Sequence, residues 1–518
     1  MDNENLKLLY QESMNELNTF SAQMSDIRKL CYNNTNSYGV DNKTTGERTD
    51  LYCYNSRVPT SVTQFAATMV SIVAPIGTKF FDIGTNDKID EKSMQEFTKN
   101  SADVSQTIFL KLNNSNYYQA LHESMLDIAS GTGGYIINFD NNKKELNFKS
   151  LDLSTVGFLE DENGIVNYVF RNLGDFNKSK RLRLYPNLDF GDADILSLVE
   201  IVYPSNNEFV HIITDKNLKN IYSEVKWKTN PFIIYRWGKL SNENRGRGPL
   251  NNILGAVKLA NTMFGDIITA SAKIIDPPYL VSDNGLMNPN NLRIEPGALI
   301  TLRDNMSRFE PLSQGGNLPF AFQEVNMINA EIDNALMINR LGQVGNATLT
   351  ATEVNARMQN DLQVLGSAYG RMQRELLNST FDRIIELFEK FDVIQPLTSL
   401  VDMNGNIKSR KITFKYNSPL IHTQNQNEVQ KLLQSIQALA NATGQEAQEY
   451  INAGYKINKL PNWFAKNIGV DMSLVNTDEE VDNNLNEFAK AKASQQMAQI
   501  NMSNPALGSQ PVNTGVIQ

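Results

Sequence analysis

Two cysteines, Cys31 and Cys53, are the whole thiol complement of this 518-residue chain. They can form one bridge at most, which excludes a disulfide scaffold and fits a reducing compartment. Histidine is as scarce. His122, His211 and His422 lie far apart, so no Cys/His zinc site is expected. No uninterrupted run of about 18 apolar residues occurs, and no membrane-spanning helix is expected. The start, Met1-Asp2-Asn3-Glu4-Asn5, has neither the basic opening nor the apolar stretch of a secretion signal. Basic charge is in deficit, 48 residues against 57 acidic, a net charge of −9. That balance argues against a protein that coats nucleic acid with its outer surface, but not against one that nucleic acid slides past.

Catalytic signatures are missing too. There is no G-x-S-x-G and no H-E-x-x-H. Ser130-Gly131-Thr132-Gly133-Gly134 has the glycines of a phosphate cradle. However, Tyr135-Ile136 follow where a P-loop needs a lysine and a hydroxyl, and the glycines come after a helix. The segment reads as a helix stop. Arg245-Gly246-Arg247-Gly248-Pro249 allows two readings: a tight turn delivering the chain into a helix at Pro249, or two arginines holding an anion at a helix start. The turn is favoured. Glu123 and Asp127, one helical turn apart, read as a wet-face pair rather than an acid–base couple. No enzyme activity, cofactor or metal is expected.

What the chain has is enough apolar residue, 41%, to bury a large core, with length for about three or four domain-sized units. Asparagine is over-used, at about 60 residues, and the sequence offers no physical account of it. Apolar spacing predicts helices over 5–31, 61–74 (ended by Pro75), 91–112 and 116–130. Between 134 and 236 the texture changes to short alternating runs, YIINF, VNYVF, LSLVEIVY, EFVHIIT and PFIIYRW, separated by turns, and predicts an antiparallel meander or two small sheets. A helix is expected from Pro249 to Ile275. Asn251, Lys258, Thr262, Asp266, Thr269 and Lys273 fall on its wet side, and Ile253, Val257, Phe264, Ile267, Ile268 and Ile274 on its packed side. An irregular insert over 276–318 contains strand-like PYLV and ALITL, and a helix over 319–341 follows.

Gly342, Gln343, Val344, Gly345, Asn346, Ala347 and Thr348 then read as a small polar loop. The longest helical pattern, about 351–391, has Thr350 and Glu353 at capping-box spacing and Gly366 and Gly370 as kink points. Such a helix would be roughly 60 Å long, which suits a wall or shaft better than a globular enzyme. Its Met and aromatic stripe reads as core or subunit contact. A strand pair around 402–405, helices at 424–443, 446–453 and 477–498, and a polar, disordered tail from Asn501 complete the chain. The class is α+β, mainly helical.

The order of these features resembles the portal, or head-to-tail connector, proteins of short-tailed bacteriophages (podoviruses). The likeness is carried by SVTQFAATMVSIVAPIGTKFFDI (Ser61 to Ile83), HESMLDIASGTGGY (His122 to Tyr135), PFIIYRW (Pro231 to Trp237) and GRGP (Gly246 to Pro249). Asp276-Pro277-Pro278, Thr350-Ala351-Thr352-Glu353-Val354 with Arg357, Leu365-Gly366-Ser367-Ala368-Tyr369-Gly370-Arg371 and Ser418-Pro419-Leu420 continue it. Each motif alone is weak. Their collinear order over roughly 60–480 is the signal.

The resemblance implies a ring, usually of twelve subunits, in the virion at one capsid vertex, with no covalent chemistry of its own. It implies a wing over 1–248, stem helices over 249–275 and 319–341, a clip over 276–318 and a channel loop over 342–350. The long helix and returning wing strands would span 351–420, crown helices 421–475, and a C-terminal helix and tail 476–518. The implied partners are further copies of the chain, the major capsid and scaffolding proteins, the terminase large subunit, a tail adaptor and double-stranded DNA. Lys258 and Lys273 are the candidate DNA-facing stem residues, and Arg293, Arg303, Arg308 and Glu310 the candidate clip contacts to terminase or adaptor. Two readings compete: a filamentous or coiled-coil protein, opposed by the strand-rich 134–236 stretch, and a nucleotide-binding packaging enzyme, opposed by the missing P-loop.

Overall fold

The computed structural model describes residues 2–32, 53–85, 91–186, 188–190, 194–275, 279–281, 309–311, 317–338, 365–394, 397, 400–401, 407–408, 412–416, 419–444, 451, 453–456, 459–468, 475–476, 480–485, 487–488, 490–491 and 494. Helix and strand are mixed, as expected, and the chain divides into two units, 1–415 and 416–518.

The predicted helix over 5–31 is two helices, α1 (Asn3–Thr19) and α2 (Ser21–Cys31), which part at buried Phe20. The break lets each half bury its stripe on a different neighbour. α1 lays Leu6, Leu9 and Tyr10 on a β-sheet, while α2 packs on α3 (Arg57–Val73) and α7 (Pro249–Ile275). α3 starts four residues before the expected Ser61. It tolerates Pro59 in its first turn, where the missing N–H has no helical acceptor anyway. α4 (Glu91–Asn113) and α5 (Tyr117–Ile128) lie where the apolar spacing put them.

Residues 132–236 form two antiparallel sheets. The three-stranded sheet has the order β3-β2-β9, from β2 (Thr132–Asp140), β3 (Glu145–Ser150) and β9 (Phe232–Arg236). The five-stranded sheet is a meander of β4 (Val156–Glu160), β5 (Val166–Asn177), β6 (Ile195–Ser205), β7 (Glu208–Asp215) and β8 (Ile221–Trp227). A short helix, α6 (Lys178–Leu184), interrupts the meander; its basic, apolar-poor sequence had not suggested one. Edge strand β8 closes the expected meander. Its mostly exposed face carries Glu224 and Lys226, the kind of charged edge that discourages further pairing.

The two sheets share a core of Ile136, Leu153, Phe158, Val169, Val202 and Phe232. On the far side of the five-stranded sheet Phe170, Val199, Ile201 and Ile212 meet α1. On the far side of the three-stranded sheet Tyr117 of α5 packs on Phe148 at 5.1 Å, and Phe139 stacks on Phe391 at 4.8 Å. Charge also enters this sandwich. Glu200 of β6 is bonded to Arg171 Nη1 at 3.2 Å and His211 Nε2 at 2.9 Å on the strands to either side.

Residues 365–372 are helical, Gln373–Asn378 form a π-helical turn, and α9 (Ser379–Lys390) continues. The irregularity expected at Gly366 and Gly370 therefore lies just beyond them. The apolar stripe explains the shift. Met372, Leu376 and Phe381 are all buried, and the step from 376 to 381 is one residue too long for an α-helix. The extra residue of the π turn keeps all three on the core side. Residues 351–364 lie outside the described residues.

Leu400–Val401 pairs with Ile407–Lys408, the expected hairpin. The strand Ile412–Tyr416 pairs with Phe81–Thr85, a contact across most of the chain that no local signal announces. In the second unit α10 (Pro419–Thr443) packs against α11 (Leu460–Ile468), a helix the sequence reading did not include. Ser435 Oγ and Tyr455 OH share a hydrogen bond of 2.6 Å there. Helical residues at 480–485 and 487–488 agree with the expected C-terminal helix, and the tail from 501 lies outside the described residues.

Candidate functional site: a helix pair and its clamp

The two glycine motifs that gave no catalytic reading meet in space. α5 ends at Ile128, and Gly131, with φ of +115°, turns the chain into β2. Gly246 and Gly248 approach that turn so closely that a Cβ on either would collide with backbone of 129–131. Backbone bonds close the junction: Trp237 N–H to Gly131 O at 2.9 Å, Arg247 N–H to Gly238 O at 2.7 Å and Leu250 N–H to Ala129 O at 3.0 Å. The last satisfies a first-turn amide of α7 that has no acceptor within its own helix. The junction thus fixes the direction in which α7 leaves the sheets.

The arginines here serve the fold. Arg245 is buried, donating to Leu153 O at 3.1 Å and to Val156 O, with its guanidinium over Phe158. Arg247 pairs with Glu243 through bonds of 2.8 and 2.6 Å, and this hydrogen-bonded partner holds the Glu243 carboxyl below its ordinary range. Both guanidinium groups are committed to internal partners, so the turn reading holds and the anion reading does not. Beside them, Arg236 reaches Glu160, Glu375 and the Asn244 carbonyl. Burial opposes its charge, but the two carboxylates outweigh burial and raise its pKa. Glu375 stands on the π turn, and also accepts from the Arg236 backbone N–H at 2.9 Å.

α7 packs along α8 (Leu318–Ala335). α8 stops six residues short of the expected Leu341: after Leu336 the chain turns at Met337, φ +59°. Leu250, Ile253, Leu254, Val257, Ala260 and Ile267 form the buried stripe of α7, with Val325, Ile332 and Leu336 from the α8 segment. Ile268 and Ile274 were expected on the packed side. In the single chain they are about half exposed, as are Leu259 on α7 and Phe320 and Phe322 on α8.

A polar clamp from the start of α3 grips this pair. Asn261 Oδ1 on α7 accepts from the backbone N–H groups of Tyr54 (2.8 Å) and Asn55 (3.2 Å). Asn55 Nδ2 donates to Asn329 Oδ1 on α8 at 2.9 Å. Arg57 donates to both carboxylate oxygens of buried Asp333, with Nη2 to Oδ2 at 2.5 Å, and Ser61 Oγ adds 2.7 Å to Oδ1. The hydrogen bonds to Asp333 raise the Arg57 pKa further. The Tyr54 ring lies against Gly265, where a Cβ would crowd it. The clamp asparagines give part of the asparagine excess a structural role.

Of the sequence-derived site residues, Lys258 is ion-paired with Asp26 of α2 at 2.6 Å, both groups being about half exposed. Lys273 is exposed near the end of α7. Glu310 lies in the strand Phe309–Pro311, opposite Leu280 of Tyr279–Val281, a two-stranded ribbon within the expected clip. The piece ALITL, Arg293, Arg303, Arg308 and the loop residues 342–348 lie outside the described residues. The expectation of no bilayer-length helix needs correction: α7 is long and apolar enough by length and composition alone. Its contacts with α2 and α8, and the charges of Lys258, Asp266 and Lys273, suit a protein-packed helix with a wet side.

Three comparisons with known proteins bear on this arrangement. No curated protein matches the chain. Among solved structures, a chain of the virion of a native gene transfer agent (GTA) particle is similar with a TM-score of 0.39 at 10% identity, covering 83% of this chain and 92% of that one. The family model described as bacteriophage head to tail connecting protein matches residues 3–475, from α1 to beyond the second-unit helix pair. The match takes in both sheets, the clamp and the helix pair together, and the chain belongs to the family of bacteriophage head to tail connecting proteins, components of the phage virion.

Proposed function

We propose that this connecting protein is a portal: a ring of twelve copies at one vertex of the capsid, through which double-stranded DNA is packaged and ejected. Family membership over residues 3–475 supports the connecting role. The single observation that carries the ring is the apolar surface left on the helix pair. Leu259, Ile268, Ile274, Phe320 and Phe322 are 45–56% exposed on two adjacent helices that already bury one stripe. Exposed apolar side chains on both sides of a packed helix pair suit protein contacts, and identical copies placed head to tail around an axis cover them without leaving an end.

In this reading α7 and α8 are the stem, the ribbon of Tyr279–Val281 and Phe309–Pro311 belongs to the clip, residues 1–248 make most of the wing, and 421–475 the crown. The loop 342–350 lies in the channel. The clip meets the terminase large subunit during packaging and a tail adaptor afterwards, and the wing meets capsid and scaffolding proteins. The chain supplies no catalytic group, since the motor is a separate ATPase. Twelve copies at −9 each carry about −108, a balance that suits a conduit DNA slides through rather than a surface that grips phosphate. Lys273, exposed on α7, guides the duplex, and Lys258 joins it only by leaving Asp26.

The test is the mass of the purified chain in solution, with images of the particles. Twelve copies of 58.2 kDa give about 700 kDa, and a ring near that mass with a central hole is expected. A chain that stays at 58.2 kDa even with its scaffolding and capsid proteins, and hydrolyses ATP, overturns the reading.

A further inference from the structure

The two cysteines of the chain are brought together by the fold. Cys31 is the last residue of α2 and is buried; Cys53, half-buried, stands immediately before the clamp residues Tyr54, Asn55 and Arg57. The Cys53 thiol has two carbonyl acceptors for its single proton, Leu30 O at 3.6 Å and Asn55 O at 3.3 Å. Leu30 O belongs to the peptide that joins Leu30 to Cys31, so the Cys53 sulfur already touches the backbone at Cys31. A disulfide needs the two Cα atoms about 4.4–6.8 Å apart, and a Cys53 sulfur seated on the Leu30–Cys31 peptide puts its thiol in the neighbourhood from which the Cys31 side chain starts. The two thiols are also close enough for a charge on Cys53 to oppose ionisation of Cys31, after burial as the larger cause; together they push Cys31 up to about 12. No cluster of metal-binding type includes them among the described residues.

We infer that Cys31 and Cys53 are a reversible disulfide site, oxidised by a low-molecular-weight disulfide, that staples the end of α2 to the clamp on the α7–α8 pair. The Cys53 thiolate attacks one sulfur of the small disulfide RSSR; a Cys53–SR bond forms, the S–S bond of RSSR breaks, and the first RS⁻ leaves and takes up a proton. The Cys31 thiolate then attacks the Cys53 sulfur; the Cys31–Cys53 bond forms, the Cys53–SR bond breaks, and the second RS⁻ leaves and is protonated. Two protein thiols lose two electrons and two protons, and one RSSR becomes two RSH. Cys53 reacts first because it is the more exposed sulfur. Burial raises both thiols, so exchange is slow at neutral pH and quickens as pH rises.

The setting gives the switch a direction. A bacterial cytoplasm keeps thiols reduced, while a virion component later sits in a medium without that reductant. Free in the cell and bonded in the particle, the pair would leave the clamp adjustable during assembly and fix it afterwards.

The experiment exposes the 518-residue chain, unassembled and assembled, to oxidised glutathione at about pH 8. Remaining thiols are then alkylated and the peptides mapped without reductant. The expected result is loss of both thiols together, a peptide joining Cys31 to Cys53 of one chain, and full reversal by dithiothreitol. The amides of Tyr54 and Asn55 should exchange at least about tenfold more slowly in the oxidised form. C31S should instead retain glutathione on Cys53. Wild-type protein that carries glutathione on Cys53 beside a reduced Cys31, that links only between chains, or that keeps both thiols overturns the inference. The mass measurement under Proposed function is independent of this one, so either can fail alone.

Discussion

Gly131 and Gly246 lie backbone against backbone, with no room for a Cβ on either: at each position it would collide with the main chain of the other. The turn that ends α5 and the turn that begins α7 are therefore one structure. G246A should destabilise the unassembled chain by roughly 3 kcal/mol through overpacking that neither backbone can relieve. G255A, on α7 with nothing within 4 Å of a Cβ, should stabilise it by roughly 0.5–1 kcal/mol. Urea unfolding of the two variants checks both signs; equal and small effects would remove the junction from the account.

The clamp is asymmetric. The side chain of Asp333 is 7% exposed, and that of Arg57 is 42% exposed. Removing the arginine strands a buried carboxylate with only Ser61 to bond it, whereas removing the carboxylate frees an arginine that water can reach. R57M should therefore cost roughly 2–3 kcal/mol and D333N only about 1 kcal/mol. A D333N variant that unfolds more easily than R57M would contradict this order.

Glu200 makes stability pH-dependent. Burial pushes its pKa up, but the bonds to His211 and Arg171 outweigh burial and hold it below the ordinary 4.5. A carboxyl depressed on folding contributes stability that is fully present above its unfolded value and is lost as pH falls through the folded one. E200Q should thus be clearly less stable than the parent at pH 7. The gap should narrow as pH drops from about 5 towards 3, read as converging urea midpoints. A gap of constant size across that range would show that Glu200 acts through shape rather than charge.

Glu375 joins the π turn to the sheets through Arg236, whose side chain is 1% exposed. E375A leaves that guanidinium with Glu160 as its remaining carboxylate and should cost about 3 kcal/mol. E375Q keeps an acceptor and should cost less. Amide exchange across 365–390 would report whether the helix loosens with the anchor.

For assembly, the paired change L259D/I268D puts charges on side chains that are 52% and 50% exposed in the single chain. Melting of the unassembled protein should move by no more than about 1–2 °C. Rings should be lost, as read by sizing and images. Rings that persist would place the subunit contact elsewhere.

Several elements were legible because local chemistry decides them. Pro249 opens α7, and the glycines after Ile128 close α5. The alternating runs of 134–236 became strands. Basic helix α6 escaped because its sequence carries no helical apolar period. Ile268 and Ile274 are half exposed in the single chain; a helical projection shows which side is apolar, not whether a neighbour in the same chain covers it.

The sequence by itself determined the class, the order of the elements and, through that order, the likeness to phage connectors. Periodicity, turn residues and caps act over a few residues and survive in the linear text. The tertiary structure alone decided the partners across the chain: Gly131 with Gly246, Arg57 with Asp333, Arg236 with Glu375, Cys53 with the end of α2. Such pairs depend on how the sheets and helices stack, and their side chains look like ordinary surface or turn residues until packing brings them together.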